Sequence, residues 1–115
     1  MTTLLILGIA TPALADAPVV TAAQVARDGP AWRFDVTLSH PDTGWDHYAD
    51  GWRVEDADGT ILGTRALLHP HVNEQPFTRS LGNVAVPTNL SVVFIRTKCA
   101  VDGWSKDTVS VALPD

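Results

Sequence analysis

All four histidines of this 115-residue chain lie between positions 40 and 71: His40, His47, His69 and His71. The last two form His69-Pro70-His71. Residues at i and i+2 on an extended backbone point to one face, so this pair is a pincer for a single metal ion. Neutral imidazole is the common ligand of Cu, Zn and Ni. Three imidazoles, or two with a carboxylate, make a Zn²⁺ or Cu²⁺ site. Nearby Asp42, Asp46 or Asp50 could accept the second ring N–H and orient a ligand. His69, His71, His47 and His40 are therefore the candidate metal ligands, with Cu or Zn as the candidate cofactor. Pro70 limits backbone freedom between its neighbours, so less entropy is lost on binding. The only methionine is Met1, which speaks against a thioether-rich Cu(I) site. Against the metal stands ordinary usage: a loop histidine is more often solvated or hydrogen-bonded to backbone.

Other chemistry finds less support. No Gly-x-Ser-x-Gly elbow and no Gly-rich phosphate loop occurs. No nucleophile, base and orienter can be named, so the expectation is a non-enzymatic protein. Asp56-Ala57-Asp58-Gly59 opens like a calcium loop, but Thr64 and Arg65 stand where the bidentate Glu belongs. It reads as a hairpin turn. Cys99 is the single cysteine, so no internal disulfide can form. It is open to three readings: a buried thiol, an intermolecular disulfide, or a soft-metal ligand. The net charge is −5, and the Lys and Arg residues are scattered singly. That excludes nucleic acid and anionic lipid as natural partners.

What must position these groups is a short β domain. Leu4 to Ala10 is an apolar run, and Ala13-Leu14-Ala15 gives the small-x-small pattern of a signal-peptidase site. Residues 1–15 therefore read as a signal peptide, although no Lys or Arg precedes the apolar run. The run is too short to span a bilayer, so no stable membrane span is expected after cleavage. Residues 16–115 form one domain, periplasmic or secreted. Its periodicity is two. Trp32, Phe34, Val36 and Leu38 alternate with Arg33, Asp35, Thr37 and Ser39. Trp52 and Val54 alternate likewise, Asp58-Gly59 turns the chain, and it returns through Thr60 to Leu68. Phe77 to Leu81, Val92 to Cys99 and Val109 to Leu113 follow, with Val19 to Val25 as the first strand. About seven short strands without a helix read as a single antiparallel β-sandwich, an all-β fold.

With Trp52 on the third strand and Cys99 on the sixth, residues 18–113 resemble an immunoglobulin or fibronectin type III domain, as found among small exported bacterial sandwiches. The second strand offers no cysteine to Cys99, and Thr97 stands where the tyrosine corner would be, which favours the fibronectin-like form. In such a sandwich the connections alternate between ends. The loops 39–51, 68–76 and 101–107 then share one end, with all four histidines and with Trp45, Asp46, Tyr48, Glu74 and Trp104 as candidate binding residues. His69-Pro70-His71 should lie beside the 40–48 loop and beneath Trp104. The expected function is a binding module gripping a protein, peptide or glycan at that end. The alternative is a periplasmic copper- or zinc-binding protein. The spacing of His47, His69 and His71 is similar to that of periplasmic copper chaperones, which use a histidine, twenty-one residues, then His-x-Met. His71 stands at the methionine position, and the earlier methionine of that family is Val36 here.

Overall fold

A computed structural model of the chain describes residues 17–114; the expected signal peptide lies outside them. The described residues contain strands and no helix, and so none long and apolar enough to cross a membrane. The strands are β1 (Val19–Asp28), β2 (Ala31–Ser39), β3 (Ala49–Glu55), β4 (Ile61–Ala66), β5 (Phe77–Val84), β6 (Val92–Cys99), β7 (Gly103–Trp104) and β8 (Val109–Ala112). They form two antiparallel sheets. One has the order β1-β2-β5. The other runs β4-β3-β6-β7, with β8 also paired to β6.

The alternation in β2 is realised directly. Trp32, Phe34, Val36 and Leu38 are buried, while Arg33 is exposed. Facing them from the second sheet are Trp52, Val54, Val93 and Ile95, with Phe77, Val84 and Val111 filling in. Burial of one large apolar side chain contributes about 1.5–3 kcal/mol. With no disulfide available, this interleaved layer carries the fold. The Asp56–Gly59 turn joins β3 to β4 as the sequence implied. Asp56 Oδ1 accepts from the backbone N–H of Asp58 (2.8 Å) and Thr60 (2.9 Å), and Gly59 takes φ +84°.

The boundaries differ from the periodicity in several strands: β1 runs on to Asp28, β5 runs on to Val84, and β8 stops at Ala112. β3 begins at Ala49, because Ala49 pairs with Cys99 before the apolar alternation starts. β4 stops at Ala66, and Leu67 to Pro76 carries no strand. β7 adds two residues within the 101–107 loop expected from the sequence, through pairing of Gly103 with Cys99 and Trp104 with Lys98.

A candidate metal centre at one end of the sandwich

His40 follows the last residue of β2. It continues the inward phase of Phe34, Val36 and Leu38 and is 2 % exposed. Pro41 then ends the ladder. Asp42 turns back beneath it. Its N–H donates to the His40 carbonyl (2.8 Å). Its buried carboxylate gathers three donors: His40 Nδ1 (2.6 Å) and the Ala49 N–H (3.0 Å) on Oδ1, and the His71 N–H (2.8 Å) on Oδ2. A carboxylate only accepts, so the His40 proton belongs on Nδ1. Nε2 is buried and has no hydrogen-bond partner among the described residues.

Two further groups meet the His40 ring. Cys99 ends β6 on the same inner face as Val93, Ile95 and Thr97 and is fully buried. His47 sits in the 40–48 loop, half-buried, held by a backbone bridge between Gly44 and His47. Its ring stands edge-on to His40 with centroids 4.9 Å apart. One ligand atom from each of His40, His47 and Cys99 lies within 4.8 Å of the others. Metal–nitrogen and metal–sulfur bonds run at about 2.0–2.3 Å. Closing on one ion thus needs a shift of about an ångström, which a loop side chain such as His47 can supply.

The His69-Pro70-His71 pair is placed differently. His69 is exposed and His71 is buried, with their rings 4.6 Å apart. His71 stacks on Phe77 with centroids 3.8 Å apart. Its Nε2 accepts from Arg79 Nη2 (2.7 Å). Its carbonyl accepts from Gln75 Nε2 (2.9 Å), while Gln75 Oε1 takes the His40 N–H (3.0 Å). Neither histidine joins the His40–His47–Cys99 group. Asp42 and Gln75 instead lock the 68–76 loop against the 40–48 loop.

Burial pushes the His71 pKa below the usual 6.5, and the charges of Arg79 and His69 push it the same way. The unfolded chain therefore takes up this proton first as pH falls. The contribution of His71 is complete above about 6.5 and is lost on acidification towards the lower folded value. We expect the melting temperature to decline below pH 6.5, and less steeply in His71→Asn. A slope unchanged by that substitution would contradict the assignment.

The remaining candidates spread out. Trp45 is 67 % exposed, with its ring 5.6 Å from Tyr48. Trp45 and Gly44 border a shallow cleft of about 540 Å³ with the segment 69–74, Glu74 included. Asp46 is exposed. Trp104 lies away from the histidines, on the outer face of the five-stranded sheet. There Arg53 stacks 4.0 Å from its ring centre, and a side chain at Gly51 would touch it.

Asp42, His40 and Cys99 follow the order of an activated thiol: orienter, base, nucleophile. Yet Cys99 is fully buried, which bars an organic substrate from its sulfur. A metal ion needs far less space. Cys99 stood among the sequence alternatives only as one reading of three; parity along β6 puts it on the inner face, but not opposite a histidine.

No protein-family profile matches the chain, and no solved structure matches it. The chain is 40 % identical over 98 residues to a protein of Halomicrobium mukohataei named "Putative lipoprotein". The match covers 85 % of this chain and 48 % of that protein, so the chain spans about half the length of the curated relative it matches.

Proposed function

We propose that this domain binds copper or zinc at the loop end of an exported β-sandwich, through His40, His47 and Cys99. The observation that carries the reading is His40: its Nε2 is buried and unpartnered among the described residues, and a ligand atom of its ring lies within 4.8 Å of a buried thiol and of a second imidazole. An orphaned buried polar atom is costly, and a bound ion relieves it. Asp42 supplies the carboxylate that orients a metal-bound histidine. Export is supported by the apolar N-terminus and by the name of the Halomicrobium protein; on this reading the domain works in the periplasm or outside the cell. The fourth strand pairs with β3 rather than β5, which supports a fibronectin-like over a constant immunoglobulin arrangement.

The test is linkage. Zn²⁺ or Cu²⁺ at one hundred times its Kd should stabilise the folded chain by about 2.7 kcal/mol. Each kcal/mol is worth roughly 4–8 °C in a domain of this size. The shift should saturate at one ion per chain and vanish in Cys99→Ser and in His47→Ala. Absence of any shift with both metals would remove the proposal.

A second reading has its own observation. Trp45, Leu68 and Val72 are exposed in the loops of this same end. Exposed aromatic and aliphatic groups in binding loops suit a protein, peptide or glycan partner. The two readings are compatible, since Trp45 lies in the loop that carries His47.

A further inference from the structure

We infer that the metal is copper, held in a three-coordinate site by the Cys99 thiolate and the imidazoles of His40 and His47, and that this site exchanges single electrons; the inference rests on the metal-binding reading above. The ligand set decides. A structural zinc site uses four protein ligands. Among the described residues the group contains three. The nearest carboxylate, Asp42, already has both oxygens engaged by His40, Ala49 and His71. A three-ligand zinc site leaves its fourth position to water, yet here His40 and Cys99 are each at most 2 % exposed. Two imidazoles and one thiolate in a trigonal array are instead the set that suits copper in electron transfer.

Charge agrees. The thiolate and the Asp42 carboxylate together offset the two positive charges of Cu(II), so no net charge is left in the buried site. On binding, the Cys99 thiol releases its proton to solvent and its sulfur bonds to the metal. Reduction adds one electron from a donor such as ascorbate, giving Cu(I) with the same three ligands and an ascorbyl radical. A one-electron acceptor such as ferricyanide reverses the step.

The surroundings fit that chemistry. His40 is fixed by Asp42, and Cys99 by its strand pairing with Ala49 and Gly103. Ligands held this way change little between oxidation states, which keeps electron exchange fast. His47 is the half-buried member, beside Trp45 and Tyr48 in its own loop. It is the route by which electrons would enter and leave.

Absorption spectroscopy of the purified protein tests this. One equivalent of Cu(II) should give an intense visible band from thiolate-to-copper charge transfer. Ascorbate should bleach it and ferricyanide restore it. The band should be absent from Cys99→Ser, and from Cys99→Ala if the serine variant fails to fold. It should also be lost or shifted in His47→Ala, a loop change that leaves the core intact. Suppose Zn²⁺ binds with dependence on Cys99 while Cu(II) gives no such band, or merely oxidises the thiol. The copper inference then falls and the metal-binding reading stands. If neither metal binds, both fall.

Discussion

Asp42→Ala is expected to lower stability by about 3–5 kcal/mol, since it leaves three buried donors without an acceptor. The donors are His40 Nδ1 and the backbone N–H groups of Ala49 and His71. They belong to three different segments: the end of β2, the start of β3 and the 68–76 loop. A protein of this size has about 5–15 kcal/mol in total, so the variant should sit near the edge of folding. Asp42→Asn separates geometry from charge. Its single oxygen can still serve His40 and Ala49, but its amide then faces the His71 N–H, donor against donor. An intermediate loss of about 1–2 kcal/mol is expected. Urea denaturation of both variants measures this. A loss below about 1 kcal/mol in the alanine variant would show that Asp42 does not clasp the loops. The same variant frees the His40 ring, so it should weaken metal binding even where the chain remains folded.

Arg96→Ala should cost about 2–4 kcal/mol by a different route. Glu55 is a buried carboxylate, its side chain 2 % exposed. Arg96 grips it with two bonds, Nε to Oε2 (2.8 Å) and Nη2 to Oε1 (3.1 Å), and Arg53 Nε adds a third (2.6 Å). The remaining Arg96 nitrogen, Nη1, donates to the carbonyls of Ser105 (2.7 Å) and Lys106 (3.0 Å), tying down the strand connection before β8. Removing Arg96 leaves Glu55 with Arg53 alone, its Oε1 unpaired, and takes the side-chain donor from both carbonyls. The effect has a pH signature. The Arg96 hydrogen bonds hold the Glu55 pKa below the usual 4.5 against the opposing effect of burial, with Arg53 adding to the depression. The unfolded chain therefore protonates first. The stabilisation is complete above 4.5 and is lost as pH falls through the lower folded value. The gap between the parent and Arg96→Ala should be widest near neutrality and shrink in acid. Denaturant midpoints across that range decide it; a gap that stays constant would mean that Arg96 acts through the 105–106 carbonyls alone.

How far the sequence reveals this molecule depends on which interactions are local. The strands of the core are legible, since period-two alternation in β2, β3 and β6 is written residue by residue and the Asp58-Gly59 turn has its own chemistry. The two-sheet, all-β architecture follows from those strands. Sheet order and the extent of β7 are not written in that way, because each rests on pairing between distant segments. The site divides along the same line. His40 and His47 are visible as ligand types, and the inward phase of His40 follows from β2. Cys99 is visible as an inward residue of β6, but its meeting with two histidines requires the register of Ala49 against Cys99. The parity argument for His69 and His71 presumes an extended strand. The chain from Leu67 to Pro76 has none, and Asp42, Gln75, Arg79 and Phe77 decide instead where His71 goes. Glu55 and Arg96 carry no sequence signal as a pair, being 41 residues apart on different strands.

His40 follows directly on β2 of one sheet, and Cys99 closes β6 in the other. An ion held by both is a rivet through the two layers. Tension that slides one sheet along the other would load coordinate bonds there rather than side-chain packing alone. In a chain exposed to pulling, that joint would make stiffness a property of metal supply: rigid with the ion in place, compliant once a chelator has taken it, and restored without any covalent bond being remade.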